Sequence, residues 1–264
     1  MASVKPSPTG AVLALAAELQ AAGRDLISLG AGEPDFDTPE HIRDAAIAAI
    51  NSGQTRYTPT DGTAELKEAI QAKFSRENRL DYDVCQIVVT CGAKQALFNL
   101  CIALLNPGDE AIIPAPYWVS YPDMVRLAGA TPVILDAGIE QDFKITPSQL
   151  AAAITDRTRL LILNNPSNPT GACYSKAEIA ALGAVIEQHS GIVVLSDDIY
   201  EHIHWGPESF TSFATACPSL IDRTVTTNGV SKAYAMTGWR IGYAAGPAEL
   251  ISAMKTVQSQ STTN

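Results

Sequence analysis

The sequence predicts an α/β protein, a mostly parallel sheet covered by helices on both faces. Three observations carry that expectation. Short apolar runs recur at 87–90, 110–113, 131–135, 160–163 and 192–196. Helical patterns lie between several of them, and that alternation favours parallel strands joined by crossovers. The chain has 264 residues, 46% hydrophobic and 17% charged, enough for one large core and part of a second.

Taken in order, residues 1–9 read as an extended arm, because Pro6 and Pro8 disfavour a helix. Alanine and leucine at helical spacing predict a helix over 10–22, stopped at Gly23. A short strand is expected at 26–29, then a loop rich in Gly and Pro to Phe36. Thr38 stands where an N-cap belongs, before Pro39 as the first residue of a helix to about 51. A loop at 57–62 precedes a helix over 64–78. The run at 87–90 leads to Gly92, which opens a helix to about 105. The strands at 110–113, 131–135 and 160–163 follow, then a helix over 176–189 and the strand at 192–196. Val225 on one side, and Trp239, Ile241 and Tyr243 on the other, mark two short strands around a tight loop. A last helix begins near Ala248.

Composition narrows the function. A net charge of −10 argues against nucleic-acid binding, which needs a basic face. Five cysteines, an odd number without C-x-x-C spacing, suggest neither a disulfide framework nor a zinc site. They fit a reducing, cytoplasmic home. Lys5 and Pro6 interrupt any signal-peptide pattern, and the apolar runs are too short to span a bilayer.

The stretch TTNGVSKAYAMTGWRIG, residues 226–242, contains the chemistry. Lys232 follows Gly229-Val230-Ser231 at the end of a short strand, and Arg240 comes eight positions later. Partial burial and a nearby guanidinium both favour the neutral amine, which can form a Schiff base. Arg240 offers a planar fork for a phosphate. Together they describe an anchor for a phosphorylated aldehyde, pyridoxal phosphate. Gly92-Ala93-Lys94, between a strand and a helix, exposes backbone N–H groups that can hold an anion, although alone it reads as an ordinary turn. Asn164-Asn165-Pro166-Ser167-Asn168-Pro169-Thr170-Gly171 is a polar, proline-braced loop after an apolar strand. Ser196-Asp197-Asp198-Ile199-Tyr200 ends another strand with carboxylates.

These motifs, in register along essentially the whole chain, resemble class I aminotransferases, with the fold type I architecture of pyridoxal-phosphate-dependent transferases. The resemblance implies a large cofactor-binding domain over 41–264 and, over 1–40, an arm and the start of a small domain left incomplete. It implies Lys232 as the catalytic, cofactor-anchoring lysine. Gly92, Ala93, Lys94 and Arg240 would bind the phosphate, with Tyr57 reaching a partner subunit's phosphate. Trp118 would stack on the ring, Asp197 meet the ring nitrogen, and Asn168 and Tyr200 the phenolic oxygen. Gly32, Trp118 and Asn168 would face substrate, and Lys5 is a candidate for a second substrate carboxylate. Read without the resemblance, Tyr57 is a packing residue, Trp118 a core tryptophan and Lys5 a solvated terminus. Asp198 reads as a solvated strand-end acid.

The implied reaction is amino transfer between amino acids and 2-oxo acids, most simply aspartate and 2-oxoglutarate, with prephenate or other substrates as alternatives. A homodimer is the implied assembly. The sequence also departs from the family, since no arginine follows Arg240 to grip the α-carboxylate; this leads to the expectation that the chain is a fragment. Rival readings are weaker. All four histidines precede Ser231, against the serine-first order of α/β-hydrolases. His202 and His204 would alternate on one strand near Asp197 as two metal ligands without a third. A non-catalytic binding protein of the same fold is the remaining alternative.

Overall fold

The computed structural model describes residues 6, 8–30, 32–206 and 209–262. Among the described residues, seven strands form one sheet: β1 (Ile87–Cys91), β2 (Glu110–Ala115), β3 (Thr131–Asp136), β4 (Thr158–Asn164), β5 (Val193–Asp197), β6 (Thr224–Gly229) and β7 (Ile241–Ala245). Their order is β1-β7-β6-β5-β4-β2-β3. Strands β3, β2, β4, β5 and β6 run parallel, and β7 is antiparallel to both β6 and β1. The helices are α1 (Pro8–Ala21), α2 (Glu40–Asn51), α3 (Ala64–Lys73), α4 (Ala93–Leu104), α5 (Tyr121–Leu127), α6 (Pro147–Ala153), α7 (Lys176–Glu187), α8 (Phe213–Ala216) and α9 (Ala248–Ser261).

Strand alternation explains why the runs are apolar throughout. In β4, Leu160 and Ile162 join one buried cluster with Leu97, Leu100 and Met254. Leu161 and Leu163 join the opposite cluster with Ile179, Leu182 and Ile186. Successive side chains point to opposite faces, so a strand covered by helices on both sides needs no polar face. A third cluster, around Phe74, Tyr82 and Tyr243, closes the β1–β7 end of the sheet.

Local sequence sets the helix starts. Ser175 and Glu178 form a reciprocal capping box at α7, and Thr146 with Gln149 does the same at α6, ahead of Pro147. Helix α6 was not expected from the sequence, although its cap was written there.

Four expectations need correction. Helix α1 starts at Pro8, two residues early, because proline is tolerated in a first turn. Residues 26–29 form no strand: Ile27 and Leu29 are 87% and 91% exposed, and among the described residues no strand pairs with them. Thr38 does not cap α2, whose N-cap is Pro39. Its hydroxyl instead donates to the Ala235 carbonyl at 2.6 Å and accepts from Trp239 Nε1 at 3.0 Å. Trp239 belongs to a short 3-10 turn, not to β7. Among the described residues, no helix is long and apolar enough to cross a membrane.

Candidate active site

The carboxyl ends of β4, β5 and β6 lie side by side, with Asn164 paired to Asp197 and Asp197 to Thr227. Ligands collect at such ends of parallel sheets. The loops that leave them carry Asn168, Tyr200 and Lys232.

Lys232 is half-buried three residues beyond β6, and its ammonium donates to the Gly32 carbonyl. Burial pushes its pKa down, Glu33 pushes it back up, and Arg240 adds to the lowering. The Nζ stands 6.0 Å from the centre of the Tyr200 ring. Tyr200 accepts a hydrogen bond at its hydroxyl from Asn168 Nδ2 at 3.1 Å. Asn164 positions that loop: its Oδ1 accepts from the Asn168 amide at 2.7 Å, and its Nδ2 donates to the Asp197 carbonyl at 2.9 Å. Gly32, Asn168, Tyr200, Trp205 and Lys232 line one cavity of about 1030 Å³.

A second group lies at the start of α4. Gly92, with φ at +78°, carries no Cβ because one there would fall 2.2 Å from the Arg240 guanidinium. Gly242 on β7 is constrained more firmly, since its Cβ would lie 2.1 Å from the Ala93 nitrogen, which is backbone, whereas the Arg240 side chain beside Gly92 can shift. The two glycines let strand, helix start and guanidinium approach one another, which leaves the first amides of α4 and a fixed cation around one point. Arg240 itself has φ of +58° and is held by donation to the Thr237 carbonyl at 2.8 Å. Lys94 lies over the Trp118 ring at 4.7 Å, and burial, then Arg240, lowers its pKa. Lys94 and Arg240 line a neighbouring cleft of about 540 Å³.

Asp197 is buried at the end of β5, 3% exposed, and burial pushes its carboxyl up to about 6. Its Oδ2 accepts from the Tyr121 hydroxyl at 2.6 Å and its Oδ1 from the Ile199 amide at 3.3 Å. The sequence reading missed Tyr121 and Asn164 as partners. Tyr121 follows Trp118 by one helical turn, a spacing that would have put both on one side.

Two sequence candidates stand apart. Tyr57 is 99% exposed and takes no part in either group. Lys5 lies outside the described residues.

The reading of Asp198 as a solvated acid is corrected: it is 1% exposed, and its Oδ1 accepts from Ser196 Oγ at 2.6 Å. Successive strand residues face opposite sides, so a strand end buried on both faces hides both acids. Burial pushes the Asp198 carboxyl up to about 7. A folded-state value above the ordinary 3.8 means that the native chain holds this proton more tightly. The resulting stabilisation is complete below the unfolded value and is lost as pH rises through about 7. Asp198→Asn cannot ionise, so the stability difference between wild type and variant should shift in the variant's favour from about pH 4 to pH 7. Urea denaturation across that range checks it, and a constant difference refutes the assignment.

The histidines are not on a strand. His202 lies in the turn after β5, where its Nε2 is 3.1 Å from Glu77. Glu77, Glu201 and His202 form a cluster with metal-ligand types, but Lys73 already pairs with both carboxylates, and Asp197 is not part of it.

Residues 24–263 match the family described as Aminotransferase class I and II. The aspartate/prephenate aminotransferase of Cereibacter sphaeroides is 62% identical over 264 residues, which is 100% of this chain and 66% of that protein. The Nitrosomonas europaea aspartate/prephenate aminotransferase is 58% identical over 262 residues, 99% of this chain and 66% of that one. The crystal structure of the aspartate aminotransferase from Rhizobium meliloti matches with a TM-score of 0.95 at 52% identity, covering 99% of this chain and 66% of that chain. The Thermus thermophilus aspartate aminotransferase with maleate matches with a TM-score of 0.95 at 50% identity, covering 99% and 67%. The chain thus spans about 66% of the length of the curated relatives it matches.

Proposed function

Because this chain belongs to the class I and II aminotransferase family, we propose that the whole protein is a pyridoxal-phosphate-dependent aminotransferase. The observation that carries the reading is the meeting of Lys232, the Asn168–Tyr200 pair and Asp197 at three adjacent strand ends.

The residues fit the cofactor. The α4 amides at Ala93 and Lys94, with Arg240 against Gly92, suit its phosphate. Trp118 offers an aromatic face to the ring, Asp197 a buried carboxylate to the ring nitrogen, and Asn168 with Tyr200 two polar groups to the phenolic oxygen. When bound, pyridoxal phosphate supplies an electron sink for charge developing at the substrate's α-carbon. Lys232 would hold the cofactor at its aldehyde, and its Nζ would take and return the proton at the substrate's α-carbon. Burial and Arg240 favour the neutral amine that this work requires. Asp197 would offer its carboxylate to the ring nitrogen and favour the protonated ring. Gly32 orients the lysine through its carbonyl and borders the space left for substrate.

Substrates follow from the relatives. Those named aspartate/prephenate aminotransferases, and the Thermus structure with maleate, support dicarboxylic amino and 2-oxo acids, with aspartate and 2-oxoglutarate first and prephenate second. Lys5 is a candidate for the second carboxylate. In this reading residues 1–40 belong to an arm and the start of a smaller domain, and residues 41–264 to the large domain. The exposed Tyr57 serves a partner subunit in a cytoplasmic homodimer.

The test combines two measurements on the whole protein. Titration with pyridoxal phosphate should produce a shifted visible absorbance band, and aspartate with 2-oxoglutarate should then yield glutamate. Neither band nor turnover with any amino donor would refute the reading, and a band without turnover would favour the non-catalytic binding protein.

A further inference from the structure

Asp197 is held on every side. Its main-chain carbonyl accepts from Asn164 Nδ2 at 2.9 Å and from the Asn165 amide at 3.1 Å. Its two carboxylate oxygens accept from the Ile199 amide and from the Tyr121 hydroxyl, the latter at 2.6 Å. Tyr121 is itself 2% exposed at the start of α5. The same turn carries Trp118: the Tyr121 amide donates to the Trp118 carbonyl at 3.1 Å, and the two rings meet edge to face, centres 5.4 Å apart.

We propose that Tyr121 is a positioning residue that orients the Asp197 carboxylate and keeps it ionised, so that one short turn governs both the aromatic face and the charge opposite the ring nitrogen. The physical basis is a short hydrogen bond to a charged acceptor in a dry setting, where it favours the charged form most. Burial alone drives the carboxyl toward its neutral form, and the hydrogen bond from Tyr121 is the strongest influence against that. The groups facing the pair are Tyr200, the Ile199 amide, Asn164 on β4 and Thr227 on β6. None of these carries a positive charge, and of the two donations that favour the ionised carboxyl, from the Tyr121 hydroxyl at 2.6 Å and the Ile199 amide at 3.3 Å, the phenol's is the shorter and stronger. A carboxylate oxygen has two acceptor sites, so each still has capacity for a further donor.

The alternative is that Asp197 merely satisfies a buried phenol, as any buried tyrosine needs a partner. The kinetic consequence rests on the function proposed above, but the first readout does not. Infrared titration of the cofactor-free protein, with the Asp197 band assigned by its loss in Asp197→Asn, should place protonation in Tyr121→Phe about one pH unit or more above wild type. Site-specific replacement of Tyr121 by difluorotyrosine, a stronger donor of the same shape, should move it downward. In the loaded enzyme, Tyr121→Phe should lower kcat about tenfold or more with KM nearly unchanged, and move the acidic limb of the pH profile upward. An Asp197 midpoint that stays put in both variants overturns the proposal, whatever the enzyme assays show. If Tyr121→Phe fails to fold, the difluorotyrosine shift decides alone.

Discussion

Replacing Lys232 by alanine is expected to remove amino transfer by about 10⁴-fold or more, because the one change deletes both a nucleophilic anchor and a proton carrier. The amine is placed for both. Its position beyond β6 brings it to the cavity shared with Asn168 and Tyr200, and burial with Arg240 depresses its pKa. The substitution should cost little stability, since the side chain is only half-buried and its polar contact is to one main-chain carbonyl. The variant should therefore remain folded and keep pyridoxal phosphate noncovalently, through Arg240 and the α4 start. The visible absorbance should lose its shifted band, and dialysis should strip the cofactor faster. Lys232→Arg should be equally inactive, because a guanidinium stays charged and cannot serve as the amine. Small primary amines added to Lys232→Ala should restore a fraction of the proton transfer. Normal turnover in either variant would show that Lys232 is not the catalytic lysine.

How far such a site can be read from sequence depends on the range of its contacts. Gly92, Lys232 and Arg240 were singled out from local sequence: a glycine between strand and helix, a lysine just after a short strand, and an arginine eight positions on. Strands β1, β2, β4 and β5 were legible as short, mostly apolar runs, buried on both faces over most of their length; the edge strand β3 was legible from its apolar run alone, and β6, Thr-Val-Thr-Thr-Asn-Gly, from Val225 and the tight loop that follows it. Residues 26–29 misled for the same reason. They are mostly apolar, but pairing decides a strand, and among the described residues none pairs with them. Thr38 misled because a cap signal competes with tertiary partners, here Ala235 and Trp239 nearly 200 positions away. Tyr121 was invisible in its role because its partner lies 76 positions on and no local pattern links them.

Asp197 and Asp198 show where sequence and structure part most sharply. Asp197→Ala is expected to lower kcat by about 10²- to 10³-fold while the cofactor stays bound, as for loss of one preorganised electrostatic partner. It also leaves the Tyr121 hydroxyl buried without its acceptor, which costs about 1–3 kcal/mol of stability. Asp198→Ala reads from sequence as neutral. Burial changes that expectation to a stability loss of about 1–3 kcal/mol, because the Ser196 hydroxyl loses its acceptor and a fully enclosed side chain is truncated. It faces the other side of the sheet from Asp197, so kcat of the folded fraction should remain near wild type. The two variants thus separate a rate effect from a stability effect at adjacent positions. Denaturation midpoints and kcat for both, measured on pyridoxal-phosphate-loaded protein, decide the matter. A large kcat loss in Asp198→Ala with a spared Asp197→Ala would place the working carboxylate one residue later than β5 presents it.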